Sequence, residues 1–86
     1  MFFVYAISSH TNNFIYVGFT SDLSKRLIRH NSGRNKSTKP YRPFSLIYLE
    51  LCHNRAQARA REVYFKGGSG KEFLKSQGRA GLPAAR

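Results

Sequence analysis

Short blocks of apolar residues separated by polar clusters open the chain, and this pattern is typical of β-strands. Residues Phe2–Ile7 and Phe14–Gly18 are rich in aromatic and β-branched side chains, which favour a pleated, half-buried backbone. The polar segment 8–13 between them is short enough for a turn. We therefore predict an antiparallel hairpin in which Tyr5 and Tyr16 lie on neighbouring strands.

The spacing of apolar residues then changes to that of an amphipathic helix. Leu23, Leu27 and Ile28 recur at intervals that place them on one helical face. Arg26 and His30 are four residues apart, so a helix brings them together on another face. The segment therefore predicts a helix that is apolar on one side and basic on the other.

Local signals mark both ends of this helix. Thr20 or Ser21 is the expected N-cap, because a hydroxyl there can accept a hydrogen bond from a free backbone N–H of the first turn. Asp22 then falls in the first turn, where a negative charge suits the helix dipole. Gly33 can adopt a positive φ angle, which ends the helix.

The remainder of the chain predicts one more strand and two helices. Asn54 is the expected cap of the second helix, within which Ala56, Ala60 and Val63 follow helical spacing. In the third helix, the apolar pair 73–74 is expected to pack inward. In chain order the predicted segments are a basic loop over 34–43, a strand over Phe44–Leu51, a helix over Arg55–Lys66, a glycine-rich break over 67–70 and a short helix over Lys71–Gln77.

The order of these elements defines a fold class. The sequence β-β-α-β-α-α predicts an α+β domain with a small, mostly antiparallel three-stranded sheet flanked by helices. With 86 residues, the chain has room for one domain. We assign that domain to residues 1–77 and expect residues 78–86 to form a flexible C-terminal tail.

The charge of the chain points to a polyanionic partner. Fifteen Lys and Arg residues stand against four Asp and Glu residues, a formal net charge of +11. Such an excess is typical of proteins that bind nucleic acid. The cations expected to contact the phosphate backbone lie on the first helix and the loop after it: Lys25, Arg29, Arg34, Lys36, Lys39 and Arg42.

The scarcity of carboxylates restricts the chemistry. The four acids, Asp22, Glu50, Glu62 and Glu72, are scattered along the chain. A two-metal nuclease site needs a cluster of carboxylates, and a glycosidase needs two across a cleft, so both kinds of site are excluded. A single metal ion held by one or two carboxylates is compatible with the sequence.

The cysteine content and the hydropathy of the sequence indicate where in the cell the protein is located. Cys52 is the single cysteine, which excludes an intramolecular disulfide and a cysteine-based metal site. No apolar run reaches the ~18 residues of a membrane span. The apolar N-terminus is a poor signal peptide because no basic residue precedes it. We therefore expect a cytoplasmic protein without a membrane partner.

A set of short motifs in a fixed order links these segments to a known family. In chain order they are Val4-Tyr5, Tyr16-Val17-Gly18, Arg26 with His30, Glu62, and the glycine-rich segment 66–74. Taken together they resemble a GIY-YIG nuclease domain, in particular the small stand-alone bacterial members of that superfamily. The resemblance covers about Phe3 to Leu74, and its specificity lies in the order and spacing of the motifs.

The resemblance implies a single-metal phosphodiesterase and a role for each motif residue. It implies that Glu62 ligates Mg²⁺ or Mn²⁺ and that Arg26 contacts the scissile phosphate. Tyr5 and Tyr16 would line the site, where one of them orients or deprotonates the attacking water. His30 would support that proton network. The expected products carry a 5′-phosphate and a 3′-hydroxyl.

Each of these residues also has a structural interpretation when taken alone. Tyr5 and Tyr16 can be packing residues of a sheet, and Arg26 with His30 can be a solvated helix face. Glu62 can pair with a lysine one helical turn further on. Packing alone gives no reason for all five residues to occur in this order, so we favour the site.

Three functions are compatible with these observations. The first is an endonuclease acting on DNA, with branched or damaged structures as candidate substrates and a role in DNA repair. A domain of this size lacks the DNA-recognition module of larger family members, so a homodimer or a protein partner would extend its contacts. The alternative is a nucleic-acid-binding module that keeps the nuclease fold without cutting. A third interpretation is a basic accessory protein of an RNA-containing assembly.

Overall fold

The computed structural model describes residues 1–81 of the chain. Their order of elements is the predicted one, with a short 3₁₀ helix added in the basic loop. The elements are strands β1 (Phe2–Ser9) and β2 (Ile15–Thr20), helix α1 (Leu23–Asn31), the 3₁₀ helix (Lys39–Tyr41), strand β3 (Phe44–Cys52) and helices α2 (Arg55–Lys66) and α3 (Gly68–Gly81).

The three strands form one antiparallel sheet in the order β2-β1-β3. Tyr5, in the middle of the central strand, lies opposite Gly18 on one side and Leu49 on the other. The register between β1 and β3 shifts once, between Ala6 and Ile7. The predicted α+β class with a small antiparallel sheet is therefore confirmed.

Helices cover both faces of the sheet, so the central strand is buried from Val4 to Ile7. On one face, Tyr5 and Ile7 pack with Phe44, and the apolar residues of α1 lie against this cluster. The side chains of β1 that point the other way pack against α2 and α3; this second core comprises Val4, Ala6, Val17, Cys52, Ala58, Phe65 and Leu74. The alternation of β1 thus sends neighbouring residues into two separate cores.

The start of α1 differs from the prediction. Asp22 itself is the N-cap, and its Oδ1 accepts a hydrogen bond from the Lys25 N–H at 3.1 Å. The Thr20 hydroxyl oxygen instead accepts from the Asp22 N–H at 3.1 Å, so it orders the residue that caps the helix. Asp22 is the better placed cap because the first N–H groups without a helical partner lie within its reach.

The apolar face of α1 is narrower than predicted. Leu23 and Leu27 pack on the core beneath the helix, whereas Ile28 is 64% exposed. One residue corresponds to about 100° of helical rotation, which carries position 28 past the sheet and into solvent. Gly33 ends the helix region with a φ of +81°, as its position predicted.

Helix α2 has the predicted bounds but turns a different side to the sheet. Asn54 caps it, with its side chain accepting from the Gln57 N–H at 2.8 Å. The buried residues are Ala58, Glu62 and Phe65. The set with helical spacing, Ala56, Ala60 and Val63, is exposed. The alanines are too small to anchor a helix, so the burial of the Phe65 ring decides its rotation.

The glycine-rich segment separates two helices in fewer residues than predicted. Only Gly67 lies between α2 and α3, and α3 begins at Gly68. Within α3, Leu74 is buried as expected, but Phe73 is 41% exposed and contacts the rim of the core through the Tyr48 ring.

Helix α3 also extends beyond the predicted short helix. It continues to Gly81, four residues into the segment that we expected to be a tail, and residues 82–86 lie outside the described part. Within residues 1–81, no helix has the length and apolar character needed to cross a membrane.

Candidate active site on the α1 face of the sheet

The site forms around Tyr5, whose ring is fully buried between the sheet and α1. Gly18 lies opposite Tyr5 on the neighbouring strand. A β-carbon at Gly18 would lie 2.7 Å from the Tyr5 hydroxyl oxygen and 3.0 Å from Cε2 of Tyr16. Only glycine leaves room for both tyrosine side chains here, which accounts for the Tyr-Val-Gly order of β2.

His30 connects α1 to this pair of tyrosines. Its Nε2 lies 2.9 Å from the Tyr5 hydroxyl oxygen in a buried hydrogen bond. The His30 and Tyr16 rings are 4.8 Å apart between centroids, and those of Tyr5 and Tyr16 are 6.3 Å apart. The three rings therefore form one contiguous cluster built from three elements, β1, β2 and α1.

Burial raises the pKa of Tyr5 and lowers the pKa of His30. Desolvation, with the neighbouring Tyr16 hydroxyl, raises the pKa of Tyr5 to about 12. Burial also lowers the pKa of His30 below its usual 6.5, and the Arg26 and Arg29 guanidiniums lower it further. At neutral pH the hydrogen bond thus joins a protonated tyrosine to an uncharged histidine.

Arg26 provides positive charge beside the cluster. Its half-buried side chain lies near the Tyr5 hydroxyl, where its charge opposes the rise of the tyrosine pKa. Because Arg26 and His30 are one turn apart on α1, the helix holds the guanidinium and the imidazole on the same side. A guanidinium in this place can form two parallel hydrogen bonds to a phosphate group.

Glu62 approaches from α2 and is buried. Its carboxylate oxygens form ion pairs with Arg59 at 2.9 Å and with Lys66 at 3.0 Å. The Lys66 Nζ lies 6.0 Å from the centroid of the Tyr16 ring, and the Glu62 charge contributes to the raised pKa of Tyr5. The acid and the tyrosines therefore belong to one electrostatic neighbourhood.

The donor set around Glu62 fits a metal ion that keeps most of its water ligands. Among residues 1–81 there is no group of three or more His, Cys, Asp or Glu side chains that could enclose a metal. A hard divalent cation such as Mg²⁺ binds through one or two carboxylates and substrate phosphates, with water in the other positions. Glu62 can supply one such carboxylate, which Arg59 and Lys66 now share.

The predicted phosphate-binding cations divide into two surfaces. Lys25, Arg29 and Arg34 line an open cleft of about 640 Å³ at the end of β2, together with Arg26 and Asp22. The other three line a separate, shallower depression of about 530 Å³ in the basic loop, and they are Lys36, Lys39 and Arg42. All six are exposed. The first surface adjoins the tyrosine and histidine cluster through Arg26.

Among the described residues, the cations of the two basic surfaces form no salt bridges with carboxylates. The four salt bridges within the described part of the chain involve only the cations Arg59, Arg61, Lys66 and Lys75. All four lie on α2 or α3. The excess positive charge is therefore concentrated on α1 and the loop that follows it.

Two contacts at the site were not predicted from the sequence. Thr38 is fully buried in the basic loop, and its hydroxyl oxygen lies 2.9 Å from Nδ1 of His30. Arg59 shares the Glu62 carboxylate. The position of Arg59 three residues before the acid is a signal that could have been found, whereas nothing local indicates that Thr38 is buried.

Comparisons with known proteins match the whole described core. A family model described as the GIY-YIG catalytic domain matches residues 1–76. A UPF0213 protein of Staphylococcus saprophyticus is 39% identical over 62 residues, covering 71% of this chain and 76% of that protein. The UPF0213 protein YazA of Bacillus subtilis is 40% identical over 65 residues, covering 74% of this chain and 65% of YazA. The solution NMR structure of UPF0213 protein BH0048 from Bacillus halodurans has a TM-score of 0.53 and 29% identity, covering 88% of this chain and 84% of that one.

Proposed function

This chain belongs to the GIY-YIG family, and we propose that it is a divalent-metal-dependent endonuclease that hydrolyses phosphodiester bonds in DNA. The family match implies a nuclease-type fold and a nucleic acid substrate. The observation that carries the proposal is the buried hydrogen bond between Tyr5 and His30, with Arg26 and Glu62 beside it. A nuclease needs a proton acceptor, a phosphate-binding cation and a metal ligand close together, and these residues provide one of each.

Arg26 and Glu62 would bind the two charged species. The Arg26 guanidinium would hold the scissile phosphate by paired hydrogen bonds and offset the charge that develops on it. GIY-YIG nucleases generally use a divalent metal ion, and Glu62 would hold Mg²⁺ or Mn²⁺ here. The ion would supply charge stabilisation at the phosphate oxygens.

Tyr5 and His30 would accept the proton of the attacking water. Tyr5 alone is a poor base, since its pKa of about 12 keeps the phenol protonated. It can take a proton from water if it passes its own to His30, which is uncharged and 2.9 Å away. Tyr16, which is half-buried, would orient the water from the other side.

The products follow from the bond that is cut. Attack of water on the phosphorus, with departure of the 3′ oxygen, leaves a 5′-phosphate and a 3′-hydroxyl. Contacts from lysines and arginines to phosphates do not read bases, so we propose recognition of DNA structure rather than sequence, with branched or damaged DNA as the first substrates to test.

A cleavage panel tests the function directly. We expect the full chain to cut at least one labelled DNA among a duplex, a single strand, a flap and a four-way junction, with Mg²⁺ or Mn²⁺ and not with EDTA. A matched RNA in the same panel distinguishes DNA from RNA as the substrate. Cutting that persists in EDTA, or is absent on every substrate in both metals, would contradict the proposal.

DNA binding is expected to weaken steeply with salt, because cations of the first basic surface displace counterions from phosphates. Replacing Lys25 and Arg29 together by Gln should lower the slope of log affinity against log salt by roughly 2 for duplex DNA. Fluorescence anisotropy between about 50 and 200 mM salt measures this slope.

The matched control for that experiment is the pair Lys71→Gln and Lys75→Gln. It removes the same charge from α3, on the opposite face of the sheet, where Lys75 pairs with Glu72. We expect the slope to remain within about 0.5 of the wild-type value. Equal slope changes in the two double variants would show that net charge, rather than the cleft, binds DNA.

The ion pairs of Glu62 favour a second candidate function, that of a DNA-binding module that does not cleave DNA. Both carboxylate oxygens are already ion-paired, with Arg59 and with Lys66, and a metal would have to displace or share these partners. Such a module would bind DNA with the same salt dependence and remain inert in every metal. The cleavage panel therefore separates the two candidates.

A further inference from the structure

Thr38 is a buried polar residue in an otherwise exposed basic loop. It directly precedes the 3₁₀ helix Lys39–Tyr41, and its side chain is fully shielded from solvent. The flanking residues Ser37 and Lys39 are both exposed. The loop therefore turns one hydroxyl inward, to His30, while its cations face solvent.

The hydrogen bonds of Thr38 fix the direction of its contact with His30. The Thr38 hydroxyl lies 3.3 Å from the carbonyl oxygen of Asn35, where it can donate its single proton. That oxygen also accepts hydrogen bonds from the Thr38 and Lys39 N–H groups, at 3.1 and 2.9 Å. The Thr38 hydroxyl oxygen is then the acceptor for His30 Nδ1, 2.9 Å away. A Thr38 hydroxyl that donates to Asn35 requires the ring proton of His30 to be on Nδ1.

The tautomer of His30 also decides which atom donates in the hydrogen bond between His30 and Tyr5. An uncharged imidazole has one N–H, so with the proton on Nδ1 the Nε2 atom is an acceptor. The Tyr5 hydroxyl, 2.9 Å from Nε2, is therefore the donor. The hydrogen bonds run in one direction, from Tyr5 through His30 and Thr38 to the backbone of Asn35.

The other groups that face His30 do not compete for its ring nitrogens. Tyr16 from β2 and Phe44 from β3 contact the imidazole through their rings. Arg26 and Arg29, on its own helix, are cations that disfavour the imidazolium form. Thr38 is the group within hydrogen-bond distance of Nδ1, as Tyr5 is of Nε2.

We propose that Thr38 is a positioning residue that holds His30 in the Nδ1–H tautomer, so that Nε2 is free to receive the Tyr5 proton. This role rests on the proposed nuclease function. As water gives its proton to the Tyr5 oxygen, Tyr5 passes its own proton to Nε2, and the imidazolium keeps Nδ1–H on Thr38. Because Lys36 and Lys39 lie within two residues of Thr38, the loop that would bind phosphates would also set the proton path.

The tautomer can be measured without any substrate. In a two-bond ¹H–¹⁵N correlation spectrum of the full chain near pH 7.5, we expect His30 to show the Nδ1–H pattern. The other two histidines, His10 and His53, are exposed, so their signals should differ from that of the buried His30. A wild-type His30 in the Nε2–H form would overturn the proposal whatever the protein cuts.

Two variants then test whether Thr38 is the cause. Thr38→Val keeps the shape but removes the acceptor, so we expect the His30 pattern to move to Nε2–H. We also expect kcat to fall by about 10- to 100-fold with KM within about threefold, because positioning acts on the proton transfer. Thr38→Ser keeps the hydroxyl and should restore the Nδ1–H pattern and kcat.

The outcomes separate this proposal from the function on which it rests. An unchanged tautomer in a folded Thr38→Val protein, or a Thr38→Ser protein as impaired as Thr38→Val, overturns the role of Thr38. A wild-type protein that cuts nothing in the panel overturns the nuclease function instead. In that case the spectra still decide whether Thr38 sets the tautomer.

Discussion

Glu62→Ala is expected to lower metal-dependent cleavage on the order of 1,000-fold, because the variant loses the carboxylate proposed to hold the metal ion. A bound divalent cation stabilises the charge of a phosphoryl transition state by several kcal/mol, and each 1.4 kcal/mol corresponds to about tenfold in rate. Single-turnover cleavage of the preferred DNA, at saturating Mg²⁺, measures the loss.

The same variant should fold normally. Glu62 forms ion pairs with Arg59 and Lys66, and these two partners are more than half exposed. Helical pairs of this kind stabilise a protein by about 0.3–0.5 kcal/mol each, so their loss is small. Urea denaturation and DNA binding by anisotropy are expected to stay close to wild type.

The matched control is Glu72→Ala on α3. It removes one carboxylate from a helical pair, with Lys75 at 3.6 Å, on the opposite side of the sheet from α1. We expect its cleavage rate to remain within about twofold of wild type. A Glu62→Ala protein that cuts as fast as this control would rule out the metal-ligand role.

Tyr5→Phe is expected to lower kcat by about 100- to 10,000-fold, the range of a lost general base, with little change in KM. The ring still fills the core, but the hydroxyl that links water to His30 is gone. His30 Nε2 is then buried without its hydrogen-bond donor, which should cost about 1–3 kcal/mol of folding free energy. Single-turnover kinetics and urea denaturation measure the two effects separately.

Tyr48→Phe is the control for this variant. Its hydroxyl donates to Oε1 of Glu50 at 2.7 Å, on the face of the sheet covered by α2 and α3. Removing it should also cost about 1–3 kcal/mol of stability, since the acceptor is charged, and leave kcat unchanged. Equal losses of kcat in the two variants would attribute the effect of Tyr5→Phe to stability alone.

The lowered pKa of His30 determines how cleavage and folding stability should change with pH. Burial and the two arginines keep the folded imidazole uncharged below its usual pKa of 6.5. Cleavage by the wild type should therefore be level above about pH 6.5 and fall only as the pH drops through the lowered value. As the pH falls, the His30 imidazole of the unfolded chain takes up its proton at a higher pH than that of the folded chain. The free energy of unfolding should therefore decrease as the pH falls below about 6.5.

The outline of the fold could be predicted from the sequence because it depends on local periodicity. Short runs of aromatic and β-branched residues indicated β1 and β2, and helical spacing of apolar residues indicated α1 and α2, because each pattern is typical of one type of element. The role of Gly33 was similarly predictable, because a positive φ angle favours a residue without a side chain.

The rotation of the helices and the exact caps were not predictable in this way. The exposed Ile28 and the burial of Ala58 with Phe65 depend on where each helix meets the sheet. The cap of α1 moved to Asp22 because the backbone of β2 continues to Thr20 before it turns. These are properties of packing between elements, and spacing within one element does not contain them.

For the candidate site, the sequence by itself determined the identity of the residues, their order and the elements that carry them. Only the tertiary structure decided that Tyr5 and His30, 25 positions apart, form a buried hydrogen bond, that Glu62 is ion-paired with two cations, and that the Thr38 hydroxyl contacts the other nitrogen of His30. A hydrogen bond depends on distances of tenths of an ångström and on burial from every side. Those quantities are set when the sheet and its helices pack together.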